Sequence, residues 1–180
     1  MILCRGMKKI LMFFCLVFFS LSGCVPREKY LRDLGENGNV NVDAPIVSTV
    51  TITIDAPAAK VWGIITDIPN WASWNSKVKS THANGITYLG DNFAWRSKLK
   101  TYSAVLIFNP EKKILWLSDT MSYKSITKWD FEKISPNQTK VTLSESRDGF
   151  LMRLSSAKDH QKYLNGWLMS LKIKAETVVF

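Results

Sequence analysis

Histidine and cysteine are scarce in this chain, and their scarcity removes whole classes of chemistry. Only two histidines, His82 and His160, occur in 180 residues. They lie far apart, with no Cys or acid at ligand spacing, so no metal site is expected. A Gly-rich phosphate loop, a Gly-x-Ser-x-Gly elbow and a dinucleotide fingerprint are all missing, and no cofactor is expected. A nucleophile–base pair would need Ser or Thr beside a His, and sequence order alone places none there. Of three cysteines, Cys4 and Cys15 fall in an N-terminal leader, which leaves Cys24 alone. A single Cys forms no internal disulfide, so stability has to come from a packed core. No apolar run reaches the ~20 residues of a membrane-spanning helix.

The leader occupies residues 1–23. Arg5, Lys8 and Lys9 precede an apolar run of twelve residues, Ile10 to Leu21, the length of a signal-peptide core. Met7 is a possible alternative start, directly before Lys8 and Lys9. The run ends Leu21-Ser22-Gly23-Cys24, which resembles a bacterial lipobox. That resemblance implies cleavage before Cys24 and lipid attachment on it. At ~0.8 kcal/mol per buried CH₂, several acyl chains hold a protein to a bilayer firmly. Val25 after the Cys implies an outer-membrane position facing the periplasm, rather than inner-membrane retention.

Three of the 24 basic residues lie in the leader, leaving 21 against 15 acids and a net charge of +6. These charges are scattered rather than clustered, which fits a solvated basic surface near an anionic membrane and not a nucleic-acid partner. Residues 24–44 are rich in Pro, Gly, Asn and charge, with turn chemistry at Glu36-Asn37-Gly38-Asn39, and read as a flexible tether between lipid and domain.

The domain itself spans residues 45–180. Ile46, Ser48, Val50, Ile52 and Ile54 alternate with Thr49, Thr51 and Thr53 as a period-two strand with one apolar face. Pro57 opens a helix to about Thr66 that buries Val61, Trp62, Ile64 and Ile65. Pro69 opens a second, short helix, where Trp71 and Trp74 share a face, a spacing more common in cores than in ligand boxes. Strands are predicted over 77–83, 92–99, 101–108, 113–118, 125–134 and 140–147, with turns at Asn84-Gly85, Asn109-Pro110 and Ser135-Pro136-Asn137-Gln138. The 101–108 strand is apolar on both faces. From Asp148 to Val178 one long amphipathic helix is predicted, with the stripe Phe150, Leu154, Ala157, Gln161, Leu164, Leu168, Leu171, Ala175 and Val178. At about 1.5 Å per residue it runs roughly 40 Å. Gln161 is its only polar member, and Gly166 marks a bend or a close contact.

Several of these residues carry a family resemblance in their order. Ile52-x-Ile54-x-Ala56-Pro57, Val61-Trp62, Asp67, Trp71-x-x-Trp74, Gly90-x-x-Phe93-x-Trp95, Thr139-x-Val141-Thr142-Leu143-x-Glu145, Gly149 and Leu168-x-x-Leu171-Lys172-x-x-x-Glu176 resemble the START-like, or SRPBCC, helix-grip superfamily in its polyketide cyclase/dehydrase and lipid-transport branch. Ser76 departs from the pattern, since these proteins often carry Pro there. The resemblance implies an α+β helix-grip fold. In it a curved antiparallel sheet of about seven strands wraps a long C-terminal helix, with two short helices after the first strand.

Such a sheet presents aromatic surface toward the helix, and Phe93, Trp95, Tyr102, Trp116, Trp129 and Phe131 are the expected pocket residues. Indole and phenol edges add hydrogen bonds that orient a ligand. The competing expectation is that these side chains simply fill the barrel. Glu145 continues the inward face of Val141 and Leu143, as a buried anchor or a base of raised pKa. It is equally free to sit at the strand end in solvent, paired with Arg147. Phe150 to Leu154 reads as a gate and Gln161 as the place where a cavity opens. Binding of a small hydrophobic ligand or lipid is the expected function, on a lipid anchor at Cys24. The alternatives are a cyclase/dehydratase-like enzyme and a packed module of an envelope complex.

Overall fold

The computed structural model describes residues 27–177, so the leader and Cys24 lie outside the described residues. The chain divides into two compact units, 1–30 and 31–180. Of the first, only the opening turn of helix α1 (Arg27–Glu36) is described.

The second unit is a seven-stranded antiparallel sheet with helices on its concave side. Its strands are β1 (Ile46–Ile54), β2 (Ser80–His82), β3 (Asn92–Arg96), β4 (Lys100–Asn109), β5 (Lys113–Asp119), β6 (Lys124–Ser135) and β7 (Gln138–Asp148). Their order across the sheet is β1-β7-β6-β5-β4-β3-β2. Helix α2 (Ala58–Thr66), a 3-10 turn (Ile68–Asn70) and α3 (Trp71–Trp74) follow β1, and α4 (Ala157–Glu176) closes the chain. This is a helix-grip fold. Every strand expected from alternation is present, with ends moved by a few residues. Among the described residues no helix is long and apolar enough to cross a membrane.

The main core lies between sheet and helices. Val61, Trp62 and Ile65 of α2, Trp71 of α3, and Leu164, Trp167, Leu168, Leu171 and Ala175 of α4 pack on Val50, Ile54, Val105, Ile114, Trp116, Trp129, Phe131, Val141 and Leu143. Pro57 precedes α2 and supplies no N–H to be left unpaired there.

Two expectations are corrected. The single helix expected from Asp148 is two elements, a 3-10 turn (Phe150–Leu154) and then α4, and Val178 lies outside the described residues. Ser156 starts α4, its hydroxyl accepting from the Asp159 N–H at 3.3 Å. That is the N-cap arrangement Ser favours, and a capped start cannot continue the preceding turn. With 20 residues, α4 is about 30 Å long. Gly166 is a close contact: a Cβ there would lie 2.5 Å from Lys77 Cε.

The second correction concerns the tether. From Leu31 the segment is not flexible. Leu31 is buried in a second core on the convex face with Leu106, Leu115, Leu117 and Ile126, joined by Leu34, Val40 and Ile107. Asn41 is buried too, its N–H donating to Ser146 Oγ and its Nδ2 to Asp148 Oδ2, both at 3.0 Å. The two-faced apolar pattern of β4 thereby finds its reason, because the outer face is covered as well.

Candidate functional site

Inside the grip, six tryptophans from five elements converge. Trp167 of α4 packs edge-on against Trp71 at 5.2 Å, Trp95 at 5.7 Å, Trp74 at 5.9 Å and Trp129 at 6.3 Å between ring centroids. Trp116 lies 6.0 Å from Trp71 and 6.4 Å from Trp129. Edge-to-face geometry suits the ring quadrupoles and holds the group stiffly.

Between these rings and the β4–β7 surface is a cavity with about 30 Å³ of free space, room for about one or two water molecules. Its apolar wall is Trp71, Trp95, Trp116, Trp129, Leu143, Leu164 and Trp167; its polar wall is Thr101, Ser118, Tyr123, Ser125, Thr127, Glu145, Arg147 and Tyr163. The barrel is therefore largely filled, with a small mixed space at its centre.

Two donors in this wall stand out. The indole N–H groups of Trp95 and Trp129 are buried without a hydrogen-bond partner, whereas Trp71 donates to the Ile65 carbonyl at 2.9 Å. An unsatisfied buried donor costs about 1–3 kcal/mol, and an acceptor brought into the cavity recovers it.

The polar end is organised by Glu145, which is buried. Arg147 Nε donates to Glu145 Oε1 at 2.6 Å. The guanidinium also lies over two rings, Tyr123 at 5.0 Å and Tyr163 at 5.1 Å, a cation–π clamp on a partly desolvated charge. Burial by itself would raise the Glu145 carboxyl. The charge of Arg147, followed by that of the nearby His160, outweighs burial and holds it at about 2. The expectation of a base with raised pKa is thus overturned, as is the expectation of a solvent-exposed Glu145. Burial pushes the Tyr163 phenol up to about 12 and Tyr123 up as well, so both stay neutral donors.

Behind Glu145 the fold makes a pairing that sequence order cannot reveal. His160 of α4 shares a 2.9 Å hydrogen bond through Nδ1 with Ser48 Oγ of β1, and its Nε2 lies 3.4 Å from Glu145 Oε1. Ser48 also reaches the Ala157 carbonyl at 3.4 Å. Ser, His and Glu in this order resemble a nucleophile relay, yet neither Ser48 nor His160 lines the cavity and both are buried. The set ties the first turn of α4 to the sheet.

The residues expected at the site divide into three groups. Trp95, Trp116, Trp129 and Glu145 line the cavity. Phe93 and Phe131 face inward but fill space beside it, against Trp71 at 5.7 Å and Trp62 at 5.5 Å respectively. Tyr102, Phe150, Leu154 and Gln161 are exposed and do not line it. Tyr102 sits opposite Asp119 on the outer parity of β4, while Thr101 and Ser103 point inward. His160, not Gln161, is the buried polar residue of the helix. Trp71, Trp167, Tyr123 and Tyr163 complete the wall without having been expected there. Among the described residues no group of His, Cys, Asp or Glu is placed to hold a metal.

Residues 45–166 match the sequence family described as polyketide cyclase / dehydrase and lipid transport. No curated protein matches the chain. Among solved structures, a START superfamily protein from Mycobacterium smegmatis superposes with a TM-score of 0.64 at 14% identity, covering 72% of this chain and 97% of that one. A hypothetical protein from Helicobacter pylori gives 0.64 at 15% identity, over 73% and 87%. The Zhui aromatase/cyclase from Streptomyces sp. R1128 gives 0.59 at 12% identity, over 72% and 93%. At these identities the likeness is one of fold.

Proposed function

This chain belongs to the polyketide cyclase/dehydrase and lipid-transport family, and on that footing we propose that it is a lipid-anchored envelope protein that binds a small hydrophobic ligand or lipid carrying an acceptor oxygen. The fold and family make the domain a ligand-binding or cyclase-like one. The observation that carries the finer reading is the pair of unpartnered indole N–H groups, Trp95 and Trp129, in an otherwise aromatic wall. Apolar burial drives entry, and the two indoles with the Arg147 guanidinium orient the oxygen. Pockets for drug-sized ligands measure about 300–1,000 Å³, so anything larger than a few atoms requires the half-buried Tyr163 side chain to move aside.

Binding is favoured over proton-transfer catalysis by the state of Glu145. A carboxylate held at about 2 is a weak base, and its guanidinium partner already occupies one oxygen. General bases work best with a pKa near the operating pH.

The domain beginning at Arg27, purified from cells, is expected to carry a ligand detectable by native mass spectrometry and to show saturable quenching of tryptophan fluorescence with aromatic ketones or acids. Trp129→Phe keeps an aromatic ring, though a smaller one, and removes the donor. It is expected to weaken binding of an acceptor-bearing ligand about tenfold while leaving a purely hydrocarbon analogue unaffected. A bare mass together with no saturable quenching overturns the reading. Turnover of a polyketide that disappears in Glu145→Gln would instead establish the enzyme.

The anchor is tested separately. In cells, Cys24→Ser is expected to move the protein from the membrane fraction to the soluble fraction, and unchanged lipid labelling of that variant would refute lipidation at Cys24.

A further inference from the structure

The end of the sheet where β7 finishes and β5 turns into β6 exposes large apolar side chains in contiguous segments. Met121, in the β5–β6 turn, is 96% exposed; Phe150, Leu151 and Leu154, in the 3-10 turn after β7, are 80%, 52% and 85% exposed. The two segments touch, because a Cβ on Gly149 would lie 2.6 Å from the Ser122 carbonyl oxygen. A neighbouring hairpin, β3–β4, opens at the same end, since Tyr102 pairs with Asp119 and Lys124 with Asp148 across the sheet. It carries exposed Arg96, Lys98 and Lys100, with Lys100 Nζ 4.8 Å from the centre of the exposed Tyr102 ring.

Charge at this end is asymmetric. Arg153 and Lys158 are exposed beside the apolar turn. Asp119 is tied to Lys124 at 2.5 Å and Asp148 accepts from Asn41 at 3.0 Å. Exposed apolar side chains on two touching segments, beside Lys, Arg and an exposed Tyr, form the composition that lies in a bilayer interface.

We propose that this end of the sheet is a membrane-docking face, which inserts Met121, Phe150, Leu151 and Leu154 into an anionic phospholipid surface with Arg96, Lys98, Lys100, Arg153 and Lys158 at headgroup level. The inference deepens the lipid-anchor reading and rests on it for the nearness of the bilayer. Cys24 precedes Leu31 by seven residues, so an anchored Cys24 lies at most about 25 Å from it. Leu31 belongs to the outer core with Leu117 and Ile126, each two residues from the strand ends at this edge. Docking also brings the cavity end lined by Tyr123 and Arg147 toward the lipid, since both residues flank the same two segments.

The test uses the domain from Arg27 onward, which has no anchor, so its failure is distinct from failure of lipidation at Cys24. It is expected to sediment with vesicles of phosphatidylglycerol and phosphatidylcholine in equal parts, and to be released by salt. Phe150→Ser and Leu154→Ser are expected to lower the partition coefficient about tenfold each. Leu89→Ser, at a 61% exposed apolar position in the β2–β3 connection, is expected to leave it unchanged. All three sites are exposed, and equal thermal midpoints exclude unfolding as the cause. Absence of sedimentation, indifference to Phe150→Ser and Leu154→Ser, or self-association in solution through these residues overturns the proposal.

Discussion

A chain that begins at Pro45 is expected to be less stable than one beginning at Arg27 by about 3–5 kcal/mol, read from urea midpoints. The loss comes from the outer core. Leu31 is 1% exposed against Leu106, Leu115, Leu117 and Ile126. Removing it forfeits about 2–3 kcal/mol of transfer free energy and returns its partners to water. The Asn41 bonds to Ser146 and Asp148 go with it. Leu31→Ala in the longer chain isolates the packing part, with an expected loss of about 2–4 kcal/mol. The shorter chain is also expected to associate, since four large aliphatic residues on one sheet face become an exposed patch. Coincident urea midpoints for the two chains would show that α1 rests on the sheet without stabilising it.

That result bears on how far the fold was legible in the sequence. Strand alternation is local, so all seven strands could be read, together with the inward direction of Trp95, Trp116, Trp129 and Glu145. The need for α1 was also written there, in the apolar run Ile114-Leu115-Trp116-Leu117 and the two-faced β4. A strand buried on both faces requires two covers, whereas the composition of 24–44 pointed to a tether. Tyr102 was misdirected by a bulge between Val105 and Ile107. Counting by twos back from the inward Phe108 puts Tyr102 inside; the extra residue reverses that parity. The front of α4 was misread because Phe150, Leu154 and Ala157 keep helical spacing through a break. The cue was Ser156 three residues before Asp159, a capping pattern.

The polar centre was not legible at all. Ser48, Glu145 and His160 lie on three elements, and only tertiary structure brings Ser48 to 2.9 Å and Glu145 to 3.4 Å from the His160 ring nitrogens. Nothing in the local pattern of β1 distinguishes an inward Ser that anchors a helix from one that merely fills. The cavity itself is a residue of imperfect filling among five indoles. It depends on ring orientations that sequence periodicity does not encode.

The Arg147→Met variant is expected to lose about 3–5 kcal/mol at neutral pH, because it leaves the Glu145 carboxylate buried without its guanidinium. The pH dependence should also change sign. In the wild-type domain burial would raise the Glu145 carboxyl, but Arg147 and His160 more than offset it, and the folded value of about 2 lies below the ordinary 4.5. The unfolded chain therefore takes up a proton first on acidification. The pair's contribution, roughly 3 kcal/mol, is complete above about pH 4.5 and disappears between there and about pH 2. Without Arg147 only His160 opposes burial, the largest single influence on this carboxyl, so the folded value is expected to rise above 4.5. The folded state then holds the proton more tightly than the unfolded chain, and stability increases as pH falls from 7 toward 5. Urea midpoints at the two pH values separate the cases: nearly level for wild type, rising toward acid for Arg147→Met. Glu145→Gln with Arg147→Met removes both charges and is expected to recover most of the loss, with no slope over this range. A double variant as unstable as the single one would place the effect in the Tyr123 and Tyr163 ring contacts of the guanidinium rather than in the ion pair.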